Sequence, residues 1–136
     1  MFELNFDKME GHVIAVAQCV QTNEVLNAGL MSEESLRLSI ASESVIFSSR
    51  GRDKPWMNTQ SHWWGFSDIA HILVDCDRDT LLFWLNPRGG TCAKHFGSLS
   101  CFHLAASQID FDKLGGLAIA VVQDVKTEKV LMVGTM

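Results

Sequence analysis

The stretch FDKMEGHVIAVAQCVQTNEVLNAGLM, residues 6–31, decides how the rest of this chain is read, because it occurs twice. Residues 111–136 read FDKLGGLAIAVVQDVKTEKVLMVGTM. The two copies align without gaps at an offset of 105, with 14 of 26 positions identical. In the first copy two apolar, partly β-branched runs, HVIAVAQCV and EVLNAGLM, flank a polar QTN link, which is the pattern of a β-hairpin. A repeat of this kind sets the domain organisation. Residues 1–105 form one complete unit, and residues 106–136 repeat its opening hairpin. Two readings of the second copy stand side by side. It is a truncated tandem unit, or it folds as a hairpin and pairs with a sheet edge of its own or a partner chain by strand addition.

Outward from the first hairpin, SEESLRLSIAS predicts a helix. Ser32 is placed to cap it, Glu33 and Glu34 favour its first turn, and Leu36, Leu38 and Ile40 supply an apolar side. SVIFSS reads as a strand and RGRDKP as a turn. AHILVDC and TLLFWLN read as two more strands joined tightly through DRD, and NPRGGTCAKHFGSLSCF reads as a loop. Many strands with one or two helices make an α+β, mainly β, domain.

The 136 residues suffice for one ordinary domain without a disulfide staple. A hydrophobic fraction of 47% and a charged fraction of 20% are those of a globular protein. The net charge of −5 argues against nucleic acid or an anionic membrane surface as partner. The opening MFELNFDKMEG lacks the apolar centre of a secretory signal, and no apolar run reaches the roughly 18 residues of a membrane span. A cytoplasmic location is the expectation.

The chemistry-bearing residues gather in the centre. Asp75, Asp77 and Asp79 alternate in LVDCDRDTLLFW, and in an extended strand they project to one side with Cys76 on the other. Three close carboxylates repel one another unless water screens them or a cation sits among them, and oxygen-only ligation suits Mg²⁺ or Ca²⁺. A solvated acidic turn is the plainer reading. The EF-hand spacing is excluded, since Thr80 and Asn86 stand where that loop needs Gly and Glu. Cys76, Cys92 and Cys101 offer three thiolates, the ligand count of a catalytic zinc with one open position, although ordinary buried thiols are the default. Cys19, in an apolar run, reads as core. His95 lies three residues from Cys92, as ligand, general base or surface group. Arg50 and Arg52 flank Gly51, an arrangement that suits a phosphate. Trp56, Trp63 and Trp64 offer aromatic faces nearby.

In this order the pieces resemble the phosphoribosyl-AMP cyclohydrolase family of histidine biosynthesis. DCDRD at 75–79 matches the family's DCDxD, and GSLSCF at 97–102 matches the end of its C-H-x-G-x-x-S-C-F motif. Ser49, Arg50, Arg52 and Trp56 fall on the positions of its SRSR-x-x-LW segment. The likeness covers nearly all of residues 6–102, and the second hairpin copy matches the family's opening hairpin better than the first. The resemblance implies the family fold, an intertwined homodimer with sites at the subunit interface, and hydrolysis of the N1–C6 bond of the adenine ring of phosphoribosyl-AMP. It implies Zn²⁺ on Cys76, Cys92 and Cys101, Mg²⁺ on Asp75, Asp77 and Asp79, proton transfer by His95, and a nucleotide-like substrate held by Ser49, Arg50, Arg52 and Trp56.

The sequence also departs from the family. MNTQSHWWG stands where the family has K-G-E-T-S-G-[HN], so Asn58 and Gln60 replace a Lys and a Glu, and His62, Trp63 and Trp64 replace small residues. The step from the first cysteine to the second of the loop is nine residues instead of seven. The alternative function is therefore a diverged relative that keeps the metal sites and binds another nucleotide or serves as an interaction module.

Overall fold

The computed structural model describes residues 3–49, 54–57, 66–86, 102 and 109–136. Among the described residues, nine strands and one α-helix follow one another, with a short 3₁₀ turn at Asp112–Leu114. The architecture is mainly β, within the α+β class expected.

The first hairpin is β1 (His12–Cys19) and β2 (Val25–Ser32), antiparallel, with a bulge between Ala17 and Gln18. Helix α1 (Glu33–Ser42) starts without a linker, because Ser32 ends β2 and also caps the helix, its hydroxyl accepting from the Ser35 N–H at 3.1 Å. Glu43 ends the helix in the left-handed region at φ 56°. β3 (Ser44–Ser49) then runs between β4 (Lys54–Met57) and the two-residue β5 (Phe66–Ser67). Lys54 and Pro55, expected in a turn, open β4 instead.

β6 (Ile69–Val74) and β7 (Thr80–Leu85) form the second hairpin. β7 returns to pair in parallel with β1, from Ile14 opposite Thr80 to Cys19 opposite Leu85, which makes a four-stranded sheet in the order β2-β1-β7-β6. β1 is therefore an inner strand, and Val13 to Cys19 are all buried, as expected of a strand covered on both faces whose one polar member is Gln18. Val13, Ala15, Ala17 and Cys19 share one core with Leu26, Met31, Leu36, Phe47, Leu81 and Phe83. The expectation that Cys19 is core holds.

The apolar side expected for α1 is corrected. Leu36 is buried, but Leu38 and Ile40 are exposed, and Ser35 and Ser39 are buried in their stead. Small hydroxyl side chains let the helix lie close on β3 and leave no polar group unpaired: Ser35 Oγ and Ser48 Oγ are 2.9 Å apart, Ser39 Oγ donates to Ser35 O at 2.7 Å, and Ile46 N donates to Ser39 Oγ at 2.8 Å. Closeness also explains Gly29 in β2, where a Cβ would lie 2.8 Å from the Phe47 ring.

The repeat folds as β8 (Ile119–Gln123) and β9 (Val130–Thr135), a two-stranded sheet of its own with a bulge between Val122 and Gln123, the place equivalent to the bulge of the first hairpin. Strand addition to either larger sheet is not seen among the described residues.

Candidate active site

β6 ends at Val74 and β7 begins at Thr80, so DCDRD is a turn and not a strand edge. Asp75 organises it. Its N–H donates to Thr80 O at 3.1 Å, its carbonyl accepts from Arg78 N at 3.2 Å, and its Oδ1 accepts from both Asp79 N and Thr80 N at 3.1 Å. Arg78 takes the left-handed conformation at φ 62°. A short acidic side chain that satisfies nearby backbone donors is the usual anchor of such a turn. One oxygen each from Asp75, Asp77 and Asp79 lie within 4.8 Å of one another. The three carboxylates converge as expected, but the cause is the turn and not strand alternation. The expected opposite facing of Cys76 is corrected for the same reason: Cys76 is exposed and lines the same cavity as Asp75 and Asp77.

Among the described residues, these three carboxylates meet one cation. Lys8 Nζ lies 2.9 Å from Asp77 Oδ2 and 3.3 Å from Asp79 Oδ2. The hydrogen bond to Asp77 raises the Lys8 ammonium above its ordinary value, and the same contact holds Asp77 well below the usual carboxylate range. Asp75 goes the other way. Desolvation, followed by hydrogen bonds to Asp77 and Asp79, pushes it up to about 6. The opposite shifts describe one cluster in which Asp77 holds its charge against Lys8 and Asp75 is the carboxylate that takes up a proton more readily as pH falls. Lys8 alone does not neutralise the group, and an all-oxygen donor set with surplus negative charge fits a hard divalent cation.

Beside the turn lies a cavity of about 400 Å³. Leu73, Thr80 and Leu82 line it on the four-stranded sheet, Asp75, Cys76 and Asp77 stand on its rim, and Val130 to Val133 of β9 close it from the repeat hairpin. An apolar cleft with a few convergent polar groups is the usual form of a small-molecule site.

Of the other expected site residues, Ser49 ends β3 opposite Lys54, and Trp56 in β4 stands in register with Phe47. Arg50, Arg52, Cys92, His95 and Cys101 lie outside the described residues, as do Asn58, Gln60, His62, Trp63 and Trp64. Sequence reasoning missed Lys8, which is 69 positions from Asp77. Its FDK context recurs at 111–113 with no acidic cluster near it in sequence, so nothing local pointed to the pair.

The family profile described as phosphoribosyl-AMP cyclohydrolase matches residues 28–103, which takes in the DCDRD turn and all three candidate zinc cysteines. This chain belongs to the phosphoribosyl-AMP cyclohydrolase family. It is 42% identical over 102 residues to the phosphoribosyl-AMP cyclohydrolase of Clostridium botulinum (strain Alaska E43 / Type E3), covering 74% of this chain and 89% of that one. It is 36% identical over 104 residues to the phosphoribosyl-AMP cyclohydrolase of Trichlorobacter lovleyi, covering 76% and 82%. A histidine biosynthesis bifunctional protein HisIE of Campylobacter jejuni is 36% identical over 109 residues, but the match spans only 51% of that longer protein. The cyclohydrolase match begins inside β2 and ends before the repeat, so β8–β9, like β1, lies outside the matched residues.

Proposed function

We propose that this chain hydrolyses the N1–C6 bond of the adenine ring of phosphoribosyl-AMP, a step of histidine biosynthesis, with Zn²⁺ and Mg²⁺. The observation that carries the reading is the convergence of Asp75, Asp77 and Asp79 beside Cys76 on the rim of a substrate-sized cavity, in a chain of this family. Cys76, Cys92 and Cys101 would hold zinc, and the three aspartates magnesium. When bound, zinc supplies Lewis acidity that makes water nucleophilic near neutral pH. The residues of the chain do the rest. Arg50 and Arg52 pair with phosphate oxygens, Ser49 donates to them, and Trp56 packs against the nucleotide. Opening the ring takes one proton from the attacking water and delivers one to N1, and His95 is the group proposed for both transfers. A homodimer and a cytoplasmic location belong to the same reading. No helix among the described residues is long and apolar enough to cross a membrane.

One sequence observation favours a second reading. Asn58 and Gln60 stand in place of a cation and a carboxylate, and oriented charge is usually the largest catalytic term. A diverged relative that keeps the metals and binds another nucleotide fits that loss. Metal analysis of the purified protein, followed by an absorbance assay with phosphoribosyl-AMP, separates the two. Zinc with turnover is expected. Zinc without turnover overturns the first reading in favour of the second, and absence of zinc with free thiols at 76, 92 and 101 overturns both.

A further inference from the structure

The two hairpins meet at their turns, and they meet symmetrically. Gln18 and Gln123 are equivalent at the repeat offset of 105, as are Asn23 and Glu128. Gln18 Nε2 donates to Asn23 O and to Glu128 O, both at 3.0 Å. Gln123 Nε2 donates to the same two carbonyls, at 2.6 and 2.9 Å. Each glutamine therefore bridges its own turn and the other one. Asn23 Nδ2 adds a bond to Glu128 Oε2 at 2.9 Å.

The turns themselves match. Asn23 and Glu128 take the left-handed conformation at φ 63° and 61°. Asn23 N donates to Cys19 O at 2.8 Å, and Glu128 N to Asp124 O at 2.7 Å. Cys19 N and Asp124 N reach Glu24 O and Lys129 O, both at 2.9 Å. Gln18 is 4% exposed, so its amide is committed to this contact and not to water. A contact in which residue i of one unit meets residue j of the other, and j meets i, is the mark of a two-fold axis between like surfaces. Here the axis runs between two segments of one chain.

We propose that β8–β9 stands where the first hairpin of a second copy of this chain would stand, so that the molecule carries its own partner for the 19–24 turn. This partner is also part of the site. Val130 to Val133 close the cavity beside Asp75, Cys76 and Asp77, opposite Leu73 and Leu82, and without them that side is an open apolar sheet face. The wall role rests on the proposed function: a flat heteroaromatic ring fits an apolar cleft with metal-binding groups at its rim. The turn surface is closed to a second chain, so a homodimer uses another face.

The full-length double variant Asn23→Cys, Glu128→Cys, treated with a short bismaleimide, separated into monomer and dimer bands on a denaturing gel and mapped by peptide mass spectrometry in each band, tests the placement. An intrachain 23–128 link is expected, with no chain-to-chain 23–23 link in the single variant Asn23→Cys. Interchain 23–128 or 23–23 links, or no 23–128 link at all, overturn it. Met132→Asp, an exposed position, tests the wall. KM for phosphoribosyl-AMP is expected to rise about tenfold with kcat nearly unchanged, and an unchanged KM overturns the wall role. A wild-type chain without turnover refutes the proposed function, and the cross-link still decides where the hairpin sits.

Discussion

Hairpins β1–β2 and β8–β9 share about half their sequence, with bulges at equivalent places and matching turns, yet they live in different surroundings. Leu26 and Met31 are 0% exposed, whereas their equivalents Leu131 and Met136 are 62% and 77% exposed. Gly29 lies under the Phe47 ring, whereas Gly134 has nothing within 4 Å of where its Cβ would be. β1 is zipped to β7, whereas among the described residues β8 pairs with β9 alone. A hairpin is therefore a local product of alternation and turn chemistry, but a core is made only where α1, β3 and β7 cover it.

The most severe way to break this comparison is to empty the same position in both hairpins. Leu26→Ala is expected to cost about 2–5 kcal/mol, as for a large-to-small change in a packed core, and Leu131→Ala about 0.5 kcal/mol or less. Urea denaturation of the two variants measures the gap, and equal losses would mean that β8–β9 is buried in solution. Next in size is the paired glycine test. Gly29→Ala pushes into Phe47 and is expected to cost about 1–3 kcal/mol. Gly134→Ala meets open space, so its thermal midpoint should stay level or rise slightly through reduced freedom of the unfolded chain.

The acidic turn belongs to β6–β7 and to neither copy of the repeated hairpin, and it makes stability depend on pH. A carboxylate raised in the folded state favours folding when protonated. The Asp75 contribution is thus fully present below about 4 and is lost as pH rises through about 6. Asp77, held low by Lys8, acts oppositely and at lower pH: its contribution is present above about 4 and is lost as pH falls through its depressed value. Metal-free protein is therefore expected to lose stability between pH 5 and pH 7 relative to Asp75→Asn. Added Mg²⁺ should stabilise more at pH 7.5 than at pH 5, as the proton leaves the site. Denaturant midpoints with and without Mg²⁺ check both. The smallest effect is expected from Lys8→Met: a slight, salt-sensitive change in stability, because the pair is exposed, together with tighter Mg²⁺ binding by calorimetry, because a competing cation is gone.

Most of the local structure was legible in the sequence. The first hairpin, the Ser32 cap and the β6–β7 hairpin depend on neighbours a few positions apart, which is where turn and capping chemistry acts. The repeat was legible from identity alone. The buried side of α1 was not. Counting apolar residues pointed to Leu38 and Ile40, but a helix that approaches β3 closely needs the small Ser35 and Ser39, and their hydroxyls find partners only once Ser48 and Ile46 are in place. In the candidate site the three carboxylates converge, but through a geometry the sequence did not show, because an aspartate that accepts its own turn's N–H groups prefers a turn to a strand edge. Lys8 was invisible, since a contact across 69 residues leaves no local trace.

By itself, then, the sequence determined the elements, the duplicated hairpin, the family and the identity of the acidic group, because each rests on short-range pattern or on motif. Only the tertiary structure decided which copy of the hairpin is core, which face of α1 is buried, that Lys8 meets the aspartates, and that the two turns clasp each other through Gln18 and Gln123. Those outcomes depend on what packs against a segment, and the same residues, as the two hairpins show, are buried in one setting and exposed in another.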